Sequence, residues 1–248
     1  MKRLYLFLFL LLLIPRPVWA TEYIVAHDAT WPPFEFLDKN DRVVGYSVDY
    51  INAVGKEAGF SIINVHISWD GIFTRLNQGE AQIVASSVTI TDERKKLMSF
   101  SDPYFETSQH LLLPESSKIT AISELKNTVI GVQGGTTGQQ TVNRFEGLTA
   151  RLYDDVLDAI EDLADGRIAG VVCDDHVAKH YSRTYPYIGK IKLASFSLGD
   201  AKEYYGFVVR KGDDRLREKI NEGIRAVKKK GTDKQIYAKW FGDSKPAH

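Results

Sequence analysis

The chain has 248 residues with 32 basic and 32 acidic side chains, a formal charge of zero that excludes recognition of a nucleic acid by bulk electrostatics. Hydrophobic residues make up 44% and charged residues 26%, the usage of a globular protein rather than of a disordered chain or a coiled-coil rod. A single cysteine, Cys173, excludes an intramolecular disulfide and any cysteine-rich zinc or iron–sulfur site. The length admits one large domain or two lobes of roughly 100 residues each.

Lys2 and Arg3 precede an unbroken apolar run from Leu4 to Ile14, which Pro15 and Pro17 interrupt before Val18-Trp19-Ala20. A basic start, a short apolar stretch and a small residue at the cut predict a signal peptide over residues 1–20, cleaved after Ala20. The run is about half as long as the ~20 residues that cross a bilayer. No cysteine follows it to carry a lipid, and no later apolar run approaches spanning length. Loss of Lys2, Arg3 and Arg16 leaves 29 basic against 32 acidic residues in 228, so the expected mature chain is exported, soluble and slightly acidic.

Short β-rich runs then alternate with helical periods, the signature of α/β lobes. Tyr23 to Ala26 reads as a strand, and Val48, Ile51, Val54 and Ala58 form one face of a helix that Gly59 stops. Ser61 to Ile67 is extended, Gly71 to Gln78 a short helix, and Ile83 to Ala85 a buried strand. The rhythm restarts after Pro114: a strand over Thr128 to Val132, a Gly-rich turn, a helix from about Thr137, a helix over Asp155 to Asp165, and a strand over Ile168 to Val172 feeding a helix near Asp174. Tyr204 to Val209 reads as a strand, and Leu216, Ile220, Ile224 and Val227 place a long amphipathic helix before Gly231. With no low-complexity linker between the two βα runs, two lobes joined by extended strands are expected.

Motifs of common enzymes are absent: no G-x-S-x-G elbow, no H-E-x-x-H, no phosphate-binding P-loop and no strict G-x-G-x-x-G. The Gly-rich turn Gly131 to Gly138 exposes backbone N–H groups where a helix starts, a way to hold an anion, and is equally readable as a plain tight turn. His176 and His180 stand one helical turn apart beside Asp174 and Asp175, but no third ligand accompanies them, so no metal is expected. The sharpest segment is Ser86-Ser87-Val88-Thr89-Ile90-Thr91-Asp92-Glu93-Arg94, followed by Phe100-Ser101-Asp102-Pro103-Tyr104. Thr91 caps a short helix there, and Arg94, one turn in, can offer a planar fork to a carboxylate. The alternative is a surface arginine paired with Glu93 or Asp102.

Six segments occur in a recognisable order: Asp28-Ala-Thr-Trp-Pro-Pro-Phe-Glu-Phe36, Gly45-Tyr-Ser-Val-Asp49, Trp69-Asp-Gly-Ile72, Ser87 to Arg94 with Phe100 to Tyr104, Gly134 to Thr137, and Gly231-Thr-Asp233 with Tyr237-Ala-Lys-Trp-Phe241. Together, over residues 21 to 242, they resemble the bacterial extracellular solute-binding proteins of the polar amino acid family, periplasmic partners of ABC importers. The resemblance implies a two-lobed α/β fold of the type 2 Venus-flytrap kind with two hinge crossings. The first lobe would hold residues 21–107 and 205–248, and the second lobe residues 108–204. It also implies a periplasmic, monomeric protein without cofactor that delivers an amino acid to a membrane permease. Position by position, Arg94 would grip the ligand α-carboxylate, helped by the Thr89 and Thr137 amides. The Ser87 carbonyl, the Thr89 hydroxyl and the Asp174 carboxylate would receive the α-ammonium.

The resemblance makes Trp31 and Trp69 aromatic walls of the pocket, against which stands ordinary core packing. Asp28 would meet a distal nitrogen of the ligand, with the alternative that it only caps a turn. Gln133, Thr136 and Thr137 of the Gly-rich turn complete the expected binding set. A carboxylate at the far end disfavours an acidic ligand and favours arginine, lysine, ornithine or glutamine. Gln82 and Gly170 depart from the family pattern at positions expected to be structural. Two other functions share the resemblance: cyclohexadienyl dehydratases, whose dicarboxylate substrate would want a second cation, and ligand sensors of membrane receptors.

Overall fold

The periodic apolar positions Val48, Ile51 and Val54 are buried on one face of the helix Tyr46–Ala58, which ends at Gly59 in the left-handed conformation. That helix covers a sheet whose strands lie in the order Phe60–His66, Thr21–His27, Ile83–Val84, Val208–Arg210 and Met98–Phe100. The first three run parallel, as βα crossovers require, and Val208–Arg210 enters antiparallel from the far end of the chain. The computed structural model describes residues 21–199 and 201–242; the expected signal peptide lies outside them.

A second sheet repeats the plan in the order Leu148–Tyr153, Thr128–Gln133, Gly170–Asp174, Gln109–Pro114 and Ile191–Leu193. Again three parallel strands meet one antiparallel neighbour that has just crossed between the lobes, here Gln109–Pro114. The outgoing segment Phe105–Thr107 and the returning segment Glu203–Tyr205 pair antiparallel as a two-stranded hinge. Two α/β lobes joined by two extended crossings are thus what the chain forms.

The segment Tyr204 to Val209 differs from its expected single strand. It is two strands, because Glu203–Tyr205 belongs to the hinge and the chain changes partners at Gly206 before Val208–Arg210 joins the first sheet. The strand expected over Ile168 to Val172 runs instead over Gly170–Asp174, which carries Asp174 to the end of a fully buried strand. The long amphipathic helix is Asp214–Lys230; it crosses Tyr46–Ala58, and the last helix, Thr232–Phe241, packs on both. Asp49 fastens that last helix by accepting hydrogen bonds from Lys239 Nζ at 2.6 Å and Trp240 Nε1 at 2.7 Å.

The largest core cluster is continuous from the first lobe through hinge aromatics to the helix Val156–Ala164 of the second lobe. At the hinge, Phe34, Tyr46, Phe105 and Tyr205 meet edge to face or stacked, with Tyr104 flat on Phe207 at 4.2 Å between ring centres. No helix of the described residues is long and apolar enough to cross a membrane.

Candidate ligand-binding site

In open α/β sheets, ligands sit outside the carboxyl ends of the parallel strands, where successive loops leave a crevice. Here Asp28 follows the strand Thr21–His27, Ser86 to Thr89 follow Ile83–Val84, Gln133 ends Thr128–Gln133, and Asp174 ends Gly170–Asp174. The two sets of loops face each other across a cleft between the lobes. Asp28, Trp31, Trp69, Ser87, Thr89 and Arg94 line it from one side, and Gln133, Thr136, Thr137 and Asp174 from the other. All ten residues picked out from the sequence are thus brought to one cavity.

Among the described residues Arg94 is the only lysine or arginine in the lining. Thr91 Oγ1 caps its short helix by accepting from the Arg94 N–H at 3.1 Å, which turns the side chain back over the strand end. One guanidinium nitrogen donates to the Thr89 carbonyl at 3.0 Å, and the other reaches across the cleft to the Gly135 carbonyl at 3.1 Å. The group also lies over Trp69, 5.4 Å from the ring centre. The alternative of a surface ion pair with Glu93 or Asp102 is therefore not what the fold builds. Burial pulls the Arg94 pKa down, and the charges of Asp174 and Glu203 oppose that.

Asp174 stands opposite, 5% exposed, as the residue before the helix Asp175–Ser182. Its carboxylate accepts from Gln109 Nε2 at 2.6 Å and, from the other lobe, from Trp31 Nε1 at 3.2 Å. Burial pushes its pKa up to about 7, the carboxylates of Glu203 and Asp175 adding to the effect and the Gln109 hydrogen bond opposing it. Asp28 is also buried rather than a turn residue at the surface. It accepts from Gln133 Nε2 across the cleft at 2.9 Å and from Thr30 Oγ1 at 3.1 Å. Burial raises its pKa as well.

The walls are aromatic. Trp31 is buried with its indole N–H turned to Asp174, and Trp69 packs edge-on to Phe73 while facing Arg94. A Cβ on Gly135, at φ +73°, would stand 3.3 Å from Trp69 Nε1, so the Gly-rich turn approaches that ring as closely as a side chain allows. Ser87 is held at φ +47°, a costly conformation for a non-glycine residue and one that clusters at binding sites. Thr136 caps the helix Thr137–Asn143, its Oγ1 accepting from the Gln139 N–H at 3.3 Å.

Two site residues escaped sequence reasoning, and both sit on the hinge crossings. Gln109 lines the cavity, and Glu203 Oε2 accepts from the Thr137 hydroxyl at 2.8 Å, from Gln109 Nε2 at 3.1 Å and from the Thr89 hydroxyl at 3.3 Å. Their only signal is a polar residue at the end of a three- to six-residue strand, too short to show a pattern. Cys173 touches the cavity wall from the end of its buried strand. His176 bonds Asp175 at 2.6 Å and packs against Phe241 and Phe105, outside the cleft. Among the described residues no group of three or more histidines, cysteines or carboxylates converges as a metal site. Gln82 is structural: it accepts from the Ile24 N–H at 3.0 Å and donates to the Gly79 carbonyl at 2.9 Å.

The sequence model of the bacterial extracellular solute-binding proteins, family 3, matches residues 23–243. The chain belongs to that family. It is 39% identical over 226 residues to the "probable histidine-binding protein" of Neisseria gonorrhoeae, covering 88% of this chain and 82% of that one. Among solved structures, this family 3 protein superposes on the arginine-, lysine-, histidine-binding protein ArtJ of Geobacillus stearothermophilus with a TM-score of 0.84 at 35% identity, over 91% of this chain and 97% of that one. It also superposes on an ancestral amino acid-binding protein described as a precursor of cyclohexadienyl dehydratase, with a TM-score of 0.81 at 34% identity, over 89% and 95% of the two chains.

Proposed function

We propose that this family 3 protein is a periplasmic receptor that captures a basic amino acid and hands it to the membrane permease of an ABC importer. The observation that carries the reading is the pairing of one half-buried cation, Arg94, with one buried carboxylate, Asp174, on opposite walls of the cleft. A zwitterion taken out of water must have both charges compensated, or each ion costs several kcal/mol. Arg94, with the Thr89 and Thr137 amides, suits an α-carboxylate. Asp174, the Thr89 hydroxyl and the Ser87 carbonyl suit an α-ammonium. Because the two halves of that set belong to different lobes, a bound ligand bridges them and favours the closed form.

Beyond the α-groups the cavity keeps carboxylates and no further cation. Asp28, steadied by Gln133, lies at one end, and Glu203 reaches the other through Thr137 and Gln109. That surplus suits a cationic side chain lying between Trp31 and Trp69, in the order arginine, lysine or ornithine, and it fits the histidine and arginine that the relatives' names give. Glutamine is the neutral ligand that Asp28 and Gln133 can still meet. A dehydratase acting on prephenate would set a second carboxylate against Asp28 or Glu203, so no chemistry on the ligand is assigned. In this reading residues 1–20 are removed on export, the lobes divide at 107/108 and 204/205, and the protein works as a monomer.

The test is a thermal-unfolding screen against the twenty amino acids and ornithine. A ligand at 1,000 times its Kd adds about 4 kcal/mol, which raises the Tm of a chain this size by roughly 10 °C. A basic amino acid is expected to give the largest rise. No rise with any of them refutes the reading, and phenylpyruvate formed from prephenate would establish the dehydratase instead.

A further inference from the structure

The cleft holds an unusual pair. Asp174 Oδ1 and Glu203 Oε2 both accept from one amide nitrogen, Gln109 Nε2, at 2.6 and 3.1 Å, so the two carboxyl groups lie within two hydrogen bonds of each other. Asp174 comes from the second lobe and Glu203 from the returning hinge strand, so their approach is a product of the fold rather than of sequence neighbourhood.

The groups that face them do not neutralise two negative charges. Asp174 meets the Trp31 indole N–H, Gln109 and the Tyr205 hydroxyl, with the Cys173 thiol and the Asp175 carboxylate beside it and Glu35, fully buried, behind. Asp175 is itself satisfied by His176, Lys179 and the Thr107 hydroxyl. Glu203 meets the hydroxyls of Thr89 and Thr137. The preceding Lys202 is committed to Glu106 at 2.8 Å. Arg94 is the single cation near both, and its fork is engaged by the Thr89 and Gly135 carbonyls.

We propose that Asp174, beside the Glu203 carboxylate, keeps a proton until a ligand ammonium enters the cleft and then releases it to solvent, with Glu203 the positioning residue that sets how tightly Asp174 holds that proton. The inference rests on the amino-acid reading above. A negative charge beside a buried carboxyl favours its neutral form, and Glu203 stands in that place toward Asp174. The rise of Asp174 to about 7, with the Glu203 charge among its causes, agrees. When an ammonium arrives, its N–H donors replace the carboxyl O–H, the O–H proton passes to the buffer, and the site changes its net charge by no more than the ligand requires.

Calorimetry of the whole mature protein with arginine reads this directly, since arginine itself does not titrate between about pH 4 and 8. The titration is run near pH 6.5 and near pH 8 in buffers of different ionisation enthalpy, phosphate, PIPES and imidazole at the lower pH. The expected result is a buffer-dependent heat equivalent to roughly half to one proton released near pH 6.5 and close to none near pH 8, with affinity rising up to about tenfold per pH unit until about pH 7. Glu203→Gln is expected to move that inflection to lower pH, and Glu203→Asp to restore it in part. A purely structural role would weaken binding and leave the inflection in place. Binding with no buffer dependence overturns the proposal alone. Absence of binding by any basic amino acid overturns the ligand reading and the proposal with it. If Glu203→Gln does not fold, the wild-type buffer series still decides whether a proton leaves.

Discussion

Asp174→Asn separates what the site does for binding from what it costs the fold. In the folded protein burial holds this carboxyl up to about 7 against an ordinary 3.8. That difference corresponds to about 4 kcal/mol at about 1.4 kcal/mol per pH unit, and it is an upper figure because water penetrates when the empty cleft opens. A raised acid binds more protons folded than unfolded, so its contribution is fully favourable below about pH 4 and is lost as pH rises through about 7. An asparagine removes the ionisation but offers one acceptor where Gln109 and Trp31 supply two donors, which returns about 1 kcal/mol. At pH 8 the variant without ligand is therefore expected to be more stable than wild type by about 1–3 kcal/mol, or a few degrees in Tm. The gain should shrink as pH falls and turn into a loss of about 1 kcal/mol near pH 4. Binding should fall by two orders of magnitude or more, since one partner of a buried charge pair is gone. Urea unfolding and calorimetry across pH 4–8 measure both. A variant less stable than wild type at pH 8, or a difference that does not change with pH, would refute the assignment of Asp174 as a buried acid with a raised pKa.

The other expected outcomes concern the rest of the cavity and the scaffold. Arg94→Ala should remove about 2–5 kcal/mol of binding to every amino acid, whereas Asp28→Asn should weaken basic ligands about ten- to a hundredfold and leave glutamine almost untouched. A competition series by calorimetry in which both variants lose all ligands equally would sink the division of labour. Gly223→Ala should cost about 1–3 kcal/mol of stability with unchanged ligand affinity, because its Cβ would stand 2.6 Å from the Val54 carbonyl where the long helix crosses Tyr46–Ala58. Chemical denaturation shows it, and an unchanged midpoint would mean the helix crossing is looser than the packing implies.

Much of the fold is legible in the sequence because its βα units carry long periods. The helices over Tyr46–Ala58 and Asp214–Lys230 each bury a stripe that repeats at helical spacing and stops at a glycine in the left-handed conformation. The strands Thr128–Gln133 and Thr21–His27 are dense in apolar and β-branched residues. The hinge is not legible in the same way. Phe105–Thr107 and Glu203–Tyr205 are three residues each and pair with a partner nearly a hundred positions away, so neither periodicity nor turn chemistry marks them. The residues of the site divide along the same line. Arg94, Asp174 and the Gly-rich turn follow strands that a sequence can place. Gln109 and Glu203 reach the cavity only because two crossings lie side by side.

That division bears on how such a receptor responds to its ligand. Across the cleft the recognising groups satisfy one another: Arg94 holds Gly135, Gln133 holds Asp28, and Trp31 holds Asp174, each contact spanning the two lobes. A ligand gains only the difference between its own contacts and those it displaces, so cross-cleft bonds that stabilise closure without ligand also subtract from affinity. Glu203 differs in place, because it sits on a hinge strand and bonds Thr137 and Gln109 from there. Substitutions on the hinge can therefore shift the balance of open and closed forms without touching the groups that read the ligand, whereas those at Arg94, Asp28 or Asp174 change both at once.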